Sequence, residues 1–515
     1  MNGAESLIRT LVNAGVDQCF ANPGTSEMHL VQAIDGIPEM RPVLCLFEGV
    51  CSGAADGYGR MTGRPAVTLL HLGAGFGNAT ANLHNARRAA SPIINLVGDH
   101  ARHHVPYDAP LTSDIEGIAR PFSAWVRTAR SASGLARDGA DALLAALTPH
   151  PVSVGQIATL AIPVDCAWGE GSGPVPVPQA PAPTAVPSAR IDAVAGQIDA
   201  DTLVLLDGGA LSAAGQTAAA RVAAVTGCKV MSATFPSRTE QGPGLPPLAR
   251  LPYFPEQVLK ALGGIRRIVL AGAEAPVSFF AYPDTPSNLV PDGCEVLRLA
   301  LLQEDVAGAL EELAKALSAP LQPLLLNQVE RPEGISGALD TRKAAAVIAA
   351  VLPEQAIVAV DSGGGGAAAG PCQTAAPHTW LNLTGGAIGM GGPVATGAAL
   401  ACPDRPVLAL LGDGGAMYTN QAFWTQAREG LKVGTVIFSN RQYKILEHEY
   451  RRLGVNEVGA RAASLFDIGG PDIDWAALAG SMGVPGSRVD TAEGLADALR
   501  RGLAGDGPFL IEAMI

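Results

Sequence analysis

Two short segments near the carboxy terminus carry the residue types of a divalent-cation site. The apolar run Val407-Leu-Ala-Leu-Leu411 leads into Gly412-Asp413-Gly414-Gly415, and a second run, Thr435-Val-Ile-Phe438, ends in Ser439-Asn440-Arg441-Gln442. A carboxylate and an amide, each just after a buried strand, can face one another across a crevice. Such hard oxygen ligands suit Mg²⁺, which takes its remaining ligands from phosphate and water. Glycines beside Asp413 let backbone N–H groups approach a diphosphate, and a helix opening at Ala416 turns its positive end toward it. Gly-Asp-Gly alone is a common turn; the flanking strand, the helix and the second strand-terminal amide give it chemical meaning. Upstream, Asp361-Ser-Gly-Gly-Gly-Gly366 follows another apolar run. Four consecutive glycines cost backbone entropy and point to close approach of a ligand, a flexible linker being the alternative.

These positions need a scaffold that ends strands in a shared crevice. Short β-branched runs over 42–47, 66–70 and 92–97 alternate with helix-period segments over 5–14, 50–60 and 79–90. The rhythm returns with strands expected over 202–206, 229–231 and 267–270, and again over 356–360, 406–411 and 433–438. Strands alternating with helices predict parallel sheets covered on both faces, with ligands beyond the carboxyl ends of the strands. Proline-rich stretches at 171–188 and 318–337 read as connectors. The expected architecture is therefore α/β, three consecutive doubly wound parallel-sheet domains over 1–170, 189–317 and 338–515.

Composition excludes several classes. The chain has 515 residues, 48% of them hydrophobic, and a mean hydropathy of +0.23, which is incompatible with general disorder. At ~100–200 residues per domain the length suggests roughly three to four domains. A net charge of −13 without a basic run argues against a nucleic-acid partner. The opening residues lack a charged n-region followed by an apolar h-region. The best membrane-span candidate, 394–411, is broken by Pro403, Asp404, Arg405 and Pro406. No membrane association and a cytoplasmic location are expected. Eight cysteines without CxxC spacing read as reduced thiols.

Taken together, Gly412-Asp413-Gly414-Gly415 and Asn440 resemble the GDG…NN motif of thiamine-diphosphate (ThDP) enzymes, with Ser439 in place of the first Asn. Glu48, Asp56-Gly57-Tyr58, Arg60 and Thr62-Gly63-Arg64-Pro65 resemble the same family's amino-terminal signature. By itself, a carboxylate before a helix is also an ordinary cap. The resemblance spans essentially the whole chain. It points to the pyruvate decarboxylase, acetolactate synthase and benzoylformate decarboxylase group, with closest motif detail to the last. It implies ThDP and Mg²⁺ as cofactors, with Asp413, Asn440 and the Gln442 carbonyl as metal ligands. Gly363 and Gly364 would wrap the diphosphate. Gly386 and Ile388 would lie in the loop under the cofactor, Ile388 bending it, and Tyr443 and Ile445 would border it. Glu48 would hold a proton against the pyrimidine ring, and His71, before the family's glycine-rich turn Gly73–Asn78, would shuttle protons at the reacting carbon. Asn22-Pro-Gly-Thr-Ser-Glu27 resembles the NPGS segment, with Thr25 at the substrate-contacting serine.

The implied activity is non-oxidative decarboxylation of a small-molecule 2-oxo acid, with carboligation as a possible second outcome. Ile445 resembles pyruvate-type enzymes and would narrow the pocket toward small aliphatic substrates. Segment 275–282 lacks the second active-site histidine of benzoylformate decarboxylases. The family builds its site between subunits, so the expected assembly is a homodimer at minimum and commonly a homotetramer. Alternatives are an acetolactate-synthase-type carboligase, a non-catalytic protein that keeps the fold, which the presence of Glu48 opposes, and a metal hydrolase built on His100, His103 and His104. Acetolactate synthases bind FAD in the central domain; Gly208-Gly209 is too short a signal to decide that here. Glu447-His448-Glu449 is expected on a solvated helix face.

Overall fold

The computed structural model describes residues 1–148, 156–455 and 457–515. Three sheets follow one another along the chain. The first orders six parallel strands as Arg41–Leu44, Gln18–Asn22, Ala66–Leu70, Pro92–Asp99, Gln156–Pro163 and Trp125–Thr128. The second orders Ala249–Arg250, Lys229–Ser232, Thr202–Leu206, Arg267–Ala271 and Glu295–Ala300. The third orders Gly486–Val489, Phe509–Met514, Val433–Ser439, Val407–Gly412, Ala356–Asp361 and His378–Leu381, and ends on Arg238–Gln241. That last strand comes from the middle of the chain and pairs antiparallel with His378–Leu381. Central strands such as AVTLL and VLALLG are almost continuously apolar and buried, as sheets covered on both faces require.

In each sheet the chain builds outward on one side and then reverses direction, leaving a crevice at the carboxyl ends of the pair that flanks the reversal. In the first sheet the flanking strands are Gln18–Asn22 and Ala66–Leu70. In the third they are Ala356–Asp361 and Val407–Gly412. The residues just beyond these ends are those the sequence singled out.

The first and third sheets meet through two helices, α1 (Glu48–Thr62) and α2 (Gly391–Ala401). A side chain at Gly57 would strike the Val394 carbonyl, and one at Gly397 the Ala54 carbonyl, so glycine permits backbone-to-backbone packing. Beside this seam the buried Arg60 guanidinium pairs with Asp56 at 2.8 and 2.5 Å and donates to the carbonyls of Asn382 (2.6 Å) and Ser237 (3.3 Å). One side chain thus ties α1 to the segments that flank the antiparallel edge pair of the third sheet. Breaking a buried pair of this kind by removing one partner costs about 3–5 kcal/mol.

Two boundaries differ from expectation. The strand before Glu48 ends at Leu44, and Glu48 is the first residue of α1. The segment Gly73–Asn78 is helix, belonging to Leu72–Arg88. The glycines serve packing here: a side chain at Gly75 would come within 2.9 Å of a Glu48 carboxylate oxygen, and one at Gly73 would strike Ser113. All eight cysteines are free thiols. No helix among the described residues is long and apolar enough to cross a membrane.

Candidate active site

The first crevice gathers side chains. Glu48 is buried, and the Asn78 amide donates to its Oε2 at 3.0 Å. His71 caps the following helix with its ring half-buried, and its Nδ1 lies 2.8 Å from Glu27 Oε2 and 3.2 Å from Ser26 Oγ. Glu27 is fully buried and also accepts from the Gly24 N–H at 2.7 Å and the Ser26 hydroxyl at 2.6 Å. A carboxylate on Nδ1 selects the tautomer protonated there and leaves Nε2 to exchange a proton. Thr25 is exposed at the start of the short turn Thr25–Glu27; it is Ser26 that reaches the histidine. Sequence reading passed over Glu27 and Ser26. The signal available was their place in the loop beyond a switch-point strand.

Behind this cluster the thiols of Cys19, Cys45 and Cys51 lie buried together. Burial pushes Cys19 up to about 12 and Cys51 well above the usual thiol range, so both stay protonated and unreactive.

The third crevice is built from backbone and glycine. Asp413 opens a helical turn and accepts the Gly414 N–H at 2.8 Å and the Arg441 N–H at 2.6 Å. The second of these bonds draws the Asn440–Gln442 loop against the carboxylate. Burial raises Asp413 above the usual carboxylate range, against the pull of those N–H groups. Asn440 Oδ1 accepts the Gln442 N–H at 3.0 Å. Gly414 lies under the Tyr443 ring, and Gly415 beside the Asp361 backbone. Gly412 is extended. Ser362 caps the glycine turn Gly363–Gly366 through the Gly365 N–H at 2.8 Å. Gly364 faces Phe438, while Gly363 and Gly366 have open space where a side chain would stand.

Asp361, whose side chain the sequence reading gave no role, organises the loop under the expected cofactor position. Its Oδ2 accepts from Gly389 at 2.7 Å and Gly391 at 3.1 Å. Its Oδ1 is buried with no partner, and burial pushes the group up to about 6. From the other side Asn85 donates to the Ala387 carbonyl at 2.7 Å. Between these anchors Ile388 stands out, 37% exposed. Ile445 lies in the first turn of α3 (Lys444–Arg452) and is half exposed.

Family descriptions of known proteins match both halves of this arrangement. "Thiamine pyrophosphate enzyme, N-terminal TPP binding domain" matches residues 1–118, and "Thiamine pyrophosphate enzyme, C-terminal TPP binding domain" matches residues 363–513. The chain is 48% identical to the "Putative acetolactate synthase large subunit IlvX" of Mycobacterium tuberculosis (strain H37Rv), over 100% of this chain and 99% of that protein. This chain belongs to the thiamine pyrophosphate enzyme family. It is also 28% identical to the benzoylformate decarboxylase of Pseudomonas aeruginosa, over 97% of this chain and 96% of that one. Among solved structures, the ThDP-dependent 4-hydroxybenzoylformate decarboxylase of Rhodococcus jostii RHA1 superposes with a TM-score of 0.85. The two share 25% identity over 99% of this chain and 98% of that one.

The residues present fit the family's cofactor. The open backbone at Gly363 and Gly366 leaves room for a diphosphate, and the Asp413 carboxylate beside the Asn440 amide is the oxygen set of a hard cation. At the central sheet's switch point the Asp207 carboxylate takes the neighbouring Gly208 N–H at 2.7 Å, and Leu302 and Val306 close on Gly208, Gly209 and Gly272. Gly208 and Gly209 also line a cavity of about 450 Å³ together with Arg60, Ser212 and Arg238.

Two surface readings resolve differently. His100 bonds the Pro110 carbonyl at 3.1 Å and lies against His104. Among the described residues no three metal-ligating side chains gather. In the stretch Glu447–Glu449, expected in solvent, Glu447 pairs with Arg451 on its own helix and His448 is exposed, yet His448 lies 4.9 Å from the Phe254 ring and Glu449 accepts from the Tyr282 hydroxyl at 3.2 Å, both on the central domain. An amphipathic helix carries polar residues on an interdomain face when partners of matching chemistry await them.

Proposed function

We propose that this chain is a ThDP- and Mg²⁺-dependent enzyme that decarboxylates 2-oxo acids without oxidation. Acetolactate-type carboligation is the second reading, favoured by the 48% identical relative. The observation that carries the proposal is the pair of switch-point crevices, one lined with proton-handling side chains and the other with a glycine cradle and an aspartate–asparagine oxygen pair. Bound ThDP supplies the carbon nucleophile and the electron sink that such a reaction needs.

The protein's own contributions follow from the contacts. Asp413, Asn440 and the Gln442 carbonyl hold the metal, and Gly363, Gly364 and Gly412–Gly415 admit the diphosphate. Asp361 and Asn85 hold the loop that presents Ile388. Glu48, steadied by Asn78, holds a proton at the pyrimidine edge. His71, oriented through Nδ1 by Glu27, moves a proton at Nε2, a general acid–base contribution of ~10²–10⁴-fold. Thr25 and Ser26 line the approach to it.

The same reading needs a second copy of the chain. Among the described residues no hydrogen bond or ion pair joins the Glu48 cluster to the Asp413 cluster. Both crevices carry exposed apolar side chains nearby in sequence: Met28 and Leu46 at the first, and Ile388, Met417, Tyr418 and Ile445 at the third. Apolar groups gathered in this way mark surfaces that another molecule covers. A homodimer closing one crevice over the other completes the site, and a tetramer pairs two such dimers.

A panel of 2-oxo acids with added ThDP and Mg²⁺ tests the function, reading CO₂, aldehyde and hydroxyketone. Turnover of pyruvate above benzoylformate is expected from Ile445. A clear preference for benzoylformate would overturn the narrow-pocket assignment, and hydroxyketone as the main product would favour the second reading.

A further inference from the structure

The central domain sends one segment to the cofactor loop, and its chemistry is aromatic. Residues 276–289 fold back on themselves, with Ser278 N–H bonded to the Ser287 carbonyl at 2.8 Å and Leu289 N–H to the Pro276 carbonyl at 3.0 Å. At the tip the Phe279 ring sits where a side chain at Gly386 would begin, 2.6 Å from that position. Gly386 has φ +79° and lies two residues before Ile388. Phe279 is held by Phe235 and Tyr253, each 5.4 Å between ring centroids, and by Phe280 at 4.7 Å. Such offset and edge-on clusters fix ring positions. Yet Phe279 is still 38% exposed and Phe280 55%.

The same cluster grips α3. Arg452 stacks over Phe254 at 4.8 Å and Tyr282 at 4.4 Å and pairs with Glu256 at 2.6 Å. His448 and Glu449 contact Phe254 and Tyr282. Ile445, His448, Glu449 and Arg452 are spaced i, i+3, i+4 and i+7, so they share one helical face. Ile445 therefore faces the central domain at the end of α3 nearest the metal loop. The exposed aromatic tip beside Gly386 belongs to the same ring cluster, since Phe279 packs on Tyr253, Tyr253 on Phe254 and Phe254 on His448. The one cation on this face, Arg452, is committed to Glu256 and the two rings.

We infer that Phe279 is a specificity-determining residue, forming with Ile445 the wall against which the side chain of the 2-oxo acid lies. The wall admits compact, uncharged apolar side chains. It rejects bulky ones by contact with the ring, and charged ones because a buried carboxylate or ammonium finds no partner there. This rests on the 2-oxo acid reading above and names its substrate class.

The test is a kcat/KM series on the ThDP–Mg²⁺ holoenzyme with pyruvate, 2-oxobutanoate, 4-methyl-2-oxopentanoate, benzoylformate and 2-oxoglutarate, for wild type and Phe279→Ala. Cofactor affinity is followed by tryptophan quenching. The expected result is a rise of at least about 10-fold in efficiency on the two bulky acids relative to pyruvate, the scale set by one or more side-chain carbons in an apolar pocket. Cofactor affinity should stay within about twofold. A uniform loss on all substrates would reduce Phe279 to a packing residue and overturn the proposal, as would wild-type turnover of 2-oxoglutarate comparable to pyruvate. If the alanine variant does not fold, Phe279→Leu and Phe279→Trp serve. The tryptophan must move the ratio toward pyruvate, and an unchanged ratio in both overturns the proposal. Absence of turnover on every acid by wild type would instead defeat the 2-oxo acid reading itself.

Discussion

The first and third sheets share an architecture and a switch-point crevice but use it in opposite ways. In the first, the crevice is built from side chains: Glu27, Glu48, His71 and Asn78 form hydrogen-bonded pairs with little or no solvent exposure of the carboxylates. In the third, backbone amides and missing side chains line the crevice, around Gly363–Gly366 and Gly412–Gly415, and carboxylates mainly hold loops. The lesson is that one fold supplies a placement and leaves the chemistry to loop composition. Side-chain networks suit proton movement, because position and tautomer must be set together. Glycine cradles suit a diphosphate, because a Cβ would keep the N–H groups away.

If the division holds, substitutions in the two crevices fail in different ways. Glu48→Gln is expected to have the largest effect, lowering kcat by ~10²–10⁴-fold while metal-dependent ThDP binding persists. Loss of binding in step with activity would erase the distinction between the crevices. Asp413→Ala should do the reverse, weakening Mg²⁺-dependent retention of ThDP by more than about 100-fold, beyond what losing a mere supporting contact to a metal ligand does. Titration calorimetry with and without Mg²⁺ checks it, and unchanged retention would remove Asp413 from the metal site.

The smallest effect sharpens the comparison through pH. Asp361 is pushed up to about 6 by burial, above its value of ~3.9 in an unfolded chain. The folded protein therefore binds the extra proton between those values. Its stability contribution is fully present below about pH 4 and is lost as pH rises through about 6. In the cofactor-free protein, Asp361→Asn should remove this term, worth about 3 kcal/mol at most for a two-unit shift. The difference in melting temperature between wild type and variant should therefore move in the variant's favour from pH 4 to 7. A difference that does not vary with pH would show that Asp361 does not titrate in that range.

Much of the candidate site could be proposed without coordinates because its residues are local to the ends of apolar runs. Asp413, Asn440 and Glu48 each follow an apolar run, and period alone locates the run. The glycine-rich segment after His71, expected as a turn from the family resemblance, is helix. Its glycines clear space for Glu48 within that helix. The polar face of α3 was read as solvated, since charge at helical spacing does not reveal a neighbouring aromatic cage.

By itself, the order of residues determined the α/β rhythm and the thiamine pyrophosphate enzyme family, and it named the residues on which the proposed site rests, because those depend on alternation and on side-chain type over a few positions. Tertiary structure alone decided which groups are paired across distance. Glu27 meets His71 across 44 positions and Asp361 meets Gly389 across 28, while Phe279 crosses from the central domain to Gly386. Such pairs are set by strand order and helix packing, which bring loops together only after the chain has folded back on itself, so no local pattern encodes them.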